Sequence, residues 1–298
     1  MQSPSPTPSI FDRRLLRLRL ERALRGGAPD FLMARAADDL ADRLAGIKRE
    51  FRRSLDLCSP SPHFARAVES SGRPLPLRAA ALWAADGVDV VASEESLPFA
   101  PAAFDLVVSG LDLQWVNDLP GALAQVRRTL APDGLFLACF PGGASLVELR
   151  AAFAQAEGEL SGGASPRVSS FVDLRDLGSL LQRAGFALPV TDIDAFTLRY
   201  DSMFALCAEL RAMGAANALT QRSRRPLRRD VLMRAGEIYA ERFSDADGRV
   251  RATFELVWLS GWAPHESQQK PLSPGSAKMR LADALKAPKL GESDKTSE

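Results

Sequence analysis

The feature that most constrains the fold is an alternation of short apolar runs with segments of helical pattern between residues 54 and 140. The apolar runs fall at 54–57, 79–83, 88–92, 104–109 and 135–140, and a helical pattern over 119–130 precedes the last one. Strands and helices alternate in this way when a parallel sheet is built with crossover helices. The segment therefore predicts an α/β domain whose sheet is mainly parallel.

Helical patterns also flank this segment. Two helices are predicted between residues 10 and 51, with Asp12 as the N-cap of the first and a break at Gly26-Gly27-Ala28-Pro29. Beyond residue 140 the pattern predicts strands over 187–198 and 253–262, and helices over 145–157, 173–184, 202–213 and 229–243. The Ala131-Pro132-Asp133-Gly134 segment predicts a turn before the strand at 135–140.

Composition shifts divide the chain into four parts. A Ser/Pro-rich lead over residues 1–9 and a tail over 265–298, rich in Pro, Ser, Lys and Gly, contain little apolar surface, so we expect both to be mostly disordered. Residues 10–50 are predicted to form an N-terminal helical extension, and residues 51–264 the main domain.

Overall charge and cysteine usage narrow the function classes. Lys+Arg 38 against Asp+Glu 37 gives a net charge of +1, which argues against a nucleic-acid partner. No apolar run approaches the roughly 20 residues that span a bilayer, and the lead lacks the apolar core of a secretory signal. The three cysteines are widely spaced, without a metal-binding pattern. We expect a cytoplasmic protein with no membrane span, no disulfide framework and no metal site.

The most informative segment surrounds the strand Asp105-Leu106-Val107-Val108-Ser109. Upstream stands Glu94-Glu95-Ser96-Leu97-Pro98-Phe99, and downstream come Trp115-Val116-Asn117-Asp118-Leu119-Pro120 and the Pro132-Asp133-Gly134 turn. This order resembles the type 11 family of S-adenosylmethionine (SAM)-dependent methyltransferases. Within that family the chain is most similar to the mitochondrial complex I assembly factor group, which is related to the malonyl-carrier-protein methyltransferase of biotin synthesis. Shared pieces extend over almost the whole chain, from Ile10-Phe11-Asp12-Arg13 to Gly261-Trp262.

The resemblance implies a Rossmann-like fold with seven mostly parallel strands and helices on both faces. The strands at 187–198 and 253–262 would form an antiparallel hairpin, and a helical insertion over about 200–250 would lie above the active-site face. It also implies SAM as the cofactor, bound at the carboxyl ends of the strands where the strand order reverses.

The loop after the first strand departs from the family. Relatives run into Asp-x-Gly-x-Gly-x-Gly, whereas Asp56-Leu57 here leads into Cys58-Ser59-Pro60-Ser61-Pro62. Proline has no N–H to donate, and its fixed φ replaces the freedom of glycine. Ser61 and Pro62 suit the start of a helix, which predicts that the strand–turn–helix unit survives with an altered binding loop. Asp56 either faces the cofactor cleft or bonds to the loop.

Other cofactor contacts follow from the resemblance. The second strand offers no acidic residue at its end to hold the ribose hydroxyls, and Asp86 beside Gly87 predicts a turn. One of Ser93, Glu94 and Glu95 would contact the adenine amino group, with a solvated acidic loop as the alternative. The candidate cofactor-binding residues are Asp56, Cys58, Ser59, Ser93, Glu94, Glu95, Ser109 and Leu111.

The candidate substrate-side residues are Asp112, Gln114, Trp115 and Tyr200. Gln114 stands where close relatives often have His, and an amide cannot act as a general base near neutral pH. Trp115 and Tyr200 have packing roles as their alternatives.

Two main functions are compatible with these residues. The first is a SAM-dependent methyltransferase that acts on a protein or carrier-bound substrate. The second is a non-catalytic or altered-activity assembly factor that binds a respiratory complex I subunit, and the lost glycines favour it. The resemblance also implies hydroxylation of an arginine on a partner subunit, although the sequence contains no triad of two His and a carboxylate for iron. An RNA-binding role, based on the arginines at 222–229, is the third.

Overall fold

The computed structural model describes residues 9–82, 86–169 and 174–268. The end of the predicted lead is described only at residue 9, and residues 1–8, the end of the second apolar run at 83, the start of the helix at 173 and the tail at 269–298 lie outside the described residues. Among those described, all but His265–Gln268 belong to one compact unit that ends at Pro264.

One sheet forms the centre of this unit. Its seven strands are β1 (Ser54–Leu57), β2 (Leu77–Ala80), β3 (Val90–Val91), β4 (Phe104–Gly110), β5 (Leu130–Pro141), β6 (Ala187–Tyr200) and β7 (Val250–Trp262), in the spatial order β3-β2-β1-β4-β5-β7-β6. The first five strands pair in parallel, whereas β7 is antiparallel to both β5 and β6. The predicted fold class is therefore confirmed, including the final hairpin.

Eight α-helices are described. They are α1 (Arg13–Arg25), α2 (Phe31–Ala45), α3 (His63–Ser70), α4 (Leu119–Thr129), α5 (Val147–Ser161), α6 (Leu174–Arg183), α7 (Met203–Ala212) and α8 (Arg229–Phe243). Asp12 caps α1 and Asp118 caps α4, since each carboxylate accepts a bond from an amide three residues further on. The predicted cap at Asp12 is confirmed.

The core consists of three apolar clusters around the sheet. Successive strand residues point to opposite faces, so Val107 of β4 packs with α4 and α6, whereas Leu106 and Val108 pack with α2 and α3. A third cluster joins α5, α7 and α8 to the β6–β7 hairpin. Helices therefore cover both faces of the sheet, and the region between β6 and β7 forms an apolar cluster of its own.

The predicted turn at Ala131-Pro132-Asp133-Gly134 is instead a bulge inside β5. The pairing with β4 shifts register between Phe104 and Leu106, and Asp133 has a left-handed φ of 61°. Asp133 and Gly134 exchange backbone bonds with Ala263, which keeps the segment within the sheet. The turn prediction was wrong because these tertiary bonds absorb the extra residues as a bulge.

Candidate functional site

Three loops meet at the carboxyl edge of the sheet, and they carry most of the predicted site residues. They follow β1, β3 and β4, at residues 58–62, 92–97 and 111–118. Strand order reverses between β1 and β4, because the chain crosses outward to β2 and β3 before it returns to β4. Such a reversal opens a crevice for ligands.

The loop after β1 keeps a compact shape without glycine. Cys58 adopts the left-handed φ of 58°, and its amide donates to the carbonyl of Ala79 at 2.7 Å. The hydroxyl of Ser59 accepts from the amide of Gly110 at 2.9 Å. Gly110 is required there, since a Cβ would lie 2.7 Å from the Phe64 ring. Hydrogen bonds of the backbone and of side chains thus hold this loop in a tight turn that contains none of the family's glycines.

The start of α3 differs from the prediction. Ser61 does not cap the helix. Its hydroxyl instead bonds to Nδ1 of His63 at 2.8 Å, and Pro62 occupies the cap position without a side-chain bond. Proline supplies no N–H and no acceptor side chain, so this helix start presents a different surface from a glycine loop.

A buried ion pair lies beneath this loop. Nε of Arg78 on β2 donates to Oδ2 of Asp56 at 2.9 Å, and the two side chains are 5% and 0% exposed. Arg78 also donates to the carbonyls of Ser59, at 3.0 Å, and Asp86, so it bridges the loops that follow β1 and β2. Burial raises the pKa of Asp56 to about 6, although Arg78 opposes the shift. Of the two roles considered for Asp56, this arrangement matches the loop-bonding carboxylate.

A second buried cluster gathers one group from each of the three loops. The ligand atoms of Cys58, Glu94 and Asp112 all lie within 4.8 Å of one another, and these groups are buried. Arg13 of α1 forms an ion pair with Glu94, and its Nη1 donates to the carbonyl of Trp115 at 3.1 Å. Burial, reinforced by the charge of Glu94, raises the pKa of Asp112 well above its ordinary value. Burial likewise raises the pKa of the Cys58 thiol, with Asp112 as the next cause.

An apolar cavity of about 230 Å³ opens beside this cluster. Leu16, Leu20 and Leu24 recur every four residues on α1 and form one wall, because that spacing places them on a single helix face. The opposite walls come from α2, from β7 and from residues 213–215 of the insertion. The predicted site residues Leu111, Asp112, Gln114 and Trp115 line the cavity together with Pro60 and Ser61.

Two polar residues of this cavity each have an acceptor atom that is enclosed and unpartnered. Oδ2 of Asp112 and Oε1 of Gln114 are shielded from solvent and have no hydrogen-bond partner among the described residues. The amide nitrogen of Gln114 donates to the Leu111 carbonyl at 2.7 Å, so its oxygen is held in one orientation. Buried acceptors are normally paired, and leaving one unpaired costs about 1–3 kcal/mol.

The remaining predicted residues do not line the cavity. Oε1 of Glu95 accepts from the amide of Asn117 at 2.5 Å, and the Ser93 hydroxyl accepts from the amide of Glu95 at 3.2 Å. Ser109 is fully buried on β4. The hydroxyl of Tyr200 donates to Glu209 at 2.6 Å within the α5–α7–α8 cluster, outside the cavity walls.

Trp115 has a packing contact and also a position on the substrate side, the two roles considered for it. Its ring packs edge-on against Phe11, with the ring centroids 5.5 Å apart, and it lines the cavity. The sequence analysis missed Arg13 and Arg78. Strand register alone places Arg78 opposite Asp56, and no local pattern reveals such a pairing.

The strand order, the antiparallel last pair and the crevice define a class I methyltransferase-type α/β fold. The profile of the methyltransferase domain family matches residues 31–189, which is more than half of the chain. The chain belongs to this family, and the resemblance found in its sequence is confirmed.

Individual proteins support the assignment. The chain is 37% identical over 294 residues to "Arginine-hydroxylase NDUFAF5, mitochondrial" of Danio rerio, covering 95% of this chain and 91% of that protein. It is 32% identical to the malonyl-[acyl-carrier protein] O-methyltransferase of Halorhodospira halophila over 93% of this chain and 96% of the relative. Among solved structures, the YcgJ protein of Bacillus subtilis superposes with a TM-score of 0.51 at 13% identity, over 76% of this chain and 98% of that one. That last likeness concerns the fold alone.

The residues present do not fit SAM in the pose that the resemblance implies. Pro60 and Pro62 supply no N–H donors, and Arg78 bridges the two loops between which the ribose would bind. Among the described residues that follow β2, the first carboxylate belongs to Asp86, whose side chain is 79% exposed and faces Arg66 at 3.7 Å. The chain therefore keeps the fold of the family, but the residues at its cofactor site differ from the family pattern.

Each described helix is too short or too polar to cross a membrane.

Proposed function

We propose that this chain binds an arginine side chain of a partner protein in the apolar cavity, as an altered-activity member of the methyltransferase family. The observation that carries the proposal is the pair of enclosed, unpartnered acceptors, Oδ2 of Asp112 and Oε1 of Gln114, in a wall that is mainly apolar. A ligand that satisfies both must have an apolar stem and a hydrogen-bond donor end.

Arginine meets this requirement. Its three methylenes suit the leucine wall from α1, and its planar guanidinium presents five N–H donors and no acceptor. A buried charge is tolerated only when it is paired. Asp112 supplies that pair, because a cation beside it favours the ionised carboxylate over the protonated form that burial otherwise promotes.

The name of the relatives supports the same substrate. The Danio rerio protein is called an arginine-hydroxylase, and we propose hydroxylation as the reaction of this chain. Such a reaction replaces one C–H bond by C–OH: one oxygen atom of dioxygen enters the product, and the other leaves as water after taking up two electrons from a reductant and two protons. The proposed partner is a respiratory complex I subunit, as the sequence resemblance implies. A cytoplasmic location stays a prediction, since the relative is named mitochondrial.

Methyl transfer is the second candidate, because the chain belongs to a methyltransferase family and a malonyl-carrier-protein methyltransferase is among its relatives. The acceptor would be a protein or a carrier-bound acid. This candidate requires SAM to bind in a pose different from the one implied by the family.

Binding of acetyl-arginine amide and of its neutral isostere acetyl-citrulline amide tests the proposal, with nuclear magnetic resonance titration as the measurement. We expect arginine to bind at least about tenfold more tightly, because a hydrogen bond to a charged group contributes about 1.5–3 kcal/mol. Asp112→Asn should remove most of this preference. Tyr200→Phe, outside the cavity, is the matched control and should leave it unchanged.

Equal affinity for the two amides would contradict the proposal, as would a preference that survives in Asp112→Asn. The reaction itself is checked by mass spectrometry of complex I subunits after incubation with the protein, dioxygen and a reductant. A gain of one oxygen atom on arginine is expected, whereas a gain of a methyl group with SAM would support the second candidate.

A further inference from the structure

The buried cluster at the head of the cavity combines one thiol and two carboxyl groups, supplied by Cys58, Glu94 and Asp112. We propose that these three side chains form a binding site for one divalent transition-metal ion of the zinc or ferrous-iron class. Metal binding does not require that arginine be the substrate, so the two proposals are tested separately.

The distances suit such an ion. Bonds of about 2.0–2.3 Å around a tetrahedral metal place ligand atoms roughly 3.3–3.8 Å apart, and here the three ligand atoms already lie within 4.8 Å of one another. Small side-chain rotations would close the remaining difference. The ligands come from three strand-end loops that the sheet holds in place, so the groups are brought together before any ion binds.

The bonding of the cluster points to a missing cation. Oδ2 of Asp112 is enclosed and has no hydrogen-bond partner among the described residues, and Sγ of Cys58 has a weak contact to the Ala92 carbonyl at 3.8 Å and lies beside Glu94. Arg13 pairs with Glu94. Arg78 is engaged by Asp56. An ion at the centre of the cluster would satisfy the Asp112 and Cys58 groups together.

The ligand types select the class of metal. A thiolate favours zinc or ferrous iron over magnesium and calcium, which take oxygen ligands. Three protein ligands leave a coordination position open, as in catalytic rather than structural sites. Asp112 also lines the apolar cavity, so this open position would lie next to the bound side chain. A carboxylate oxygen has two lone pairs, so Oδ2 of Asp112 can bind the metal with one and accept from a guanidinium with the other.

Cobalt(II) is the probe for the test, because a cobalt–thiolate bond gives a charge-transfer band in the near ultraviolet. The full chain is freed of metal with a chelator and titrated with cobalt. We expect the band to saturate at one ion per chain. The isosteric variant Cys58→Ser should lose the band, and Asp112→Asn and Glu94→Gln should each weaken binding by at least about tenfold.

Cys207→Ser is the matched control, since Cys207 is a free, half-buried cysteine remote from the cluster in the sequence, and it should keep both band and affinity. Far-ultraviolet circular dichroism checks that each variant is folded. No band in the wild-type protein, or a band that persists in Cys58→Ser, would overturn the metal site. If cobalt binds as expected but acetyl-arginine amide does not, the metal site stands and the proposed function fails.

Discussion

At the scale of single residues, Arg78 connects the altered loop after β1 to strand β2 of the sheet. Its guanidinium donates to Oδ2 of Asp56 and to the Ser59 carbonyl, and its own amide donates to Asp89 at 2.8 Å. A charge this deeply buried is stable only while its partners are present. The loop and the second strand therefore depend on one another, which makes the ion pair sensitive to the loss of either member.

Arg78→Met tests this dependence. We expect it to lower the free energy of unfolding by about 3 kcal/mol, because Asp56 is then left buried without a partner. Adding Asp56→Asn should recover at least about 1 kcal/mol, since the second change removes the buried charge. Chemical denaturation of both variants measures the effect. No recovery in the double variant would show that Arg78 acts through packing rather than through its charge.

At the scale of elements, much of the fold followed from the sequence. Buried strands such as β4 were predictable because their apolar runs are short and bounded by polar residues, and α8 was predicted with the bounds that it has. The bulge at Asp133 was not, because it depends on bonds to Ala263, far away in the sequence. The cluster of Cys58, Glu94 and Asp112 was not predicted for a related reason. Its members lie on three separate loops, and their spacing in the sequence matches no metal-binding pattern.

The N-terminal cover consists of residues 9–12 and α1, whose leucines line the cavity, and Asn117 holds the start of this cover. Its Oδ1 accepts from the amides of Ile10 and Phe11 at 2.8 and 2.7 Å, and Phe11 forms an isolated β-bridge with Leu219. The cover thus joins the loop before α4 to the insertion between α7 and α8.

Asn117→Ala should loosen this cover. We expect amide hydrogen exchange at Ile10 and Phe11 to rise by at least about tenfold, because two hydrogen bonds are lost. Exchange in β4 should stay unchanged. Gln155→Ala, which removes an exposed amide side chain from α5, serves as the control. Unchanged exchange at Ile10 and Phe11 would mean that packing of Phe11 on Trp115 is sufficient to hold the segment.

At the scale of the whole molecule, the fold matches the methyltransferase family, whereas the residues of the site differ from the family pattern. The sheet order, the covering helices and the final hairpin are those of the methyltransferase family, so the crevice is in the expected place. Its contents differ, with prolines in the β1 loop, a buried arginine between two loops, and a cluster of thiol and carboxyl groups. These contents are the reason for which we propose an arginine side chain, instead of a methyl donor, as the ligand of the crevice.

Calorimetric titration of SAM into the full chain tests this central claim most directly, with a thermal shift as support. We predict no saturable binding at millimolar SAM and no change in melting temperature. A filled site would contradict it, since ligand at 100 times its dissociation constant stabilises a protein by about 2.7 kcal/mol. For a chain of this size such binding would raise the melting temperature by roughly 2–4 °C, and would mean that the rebuilt loop still holds the methyl donor.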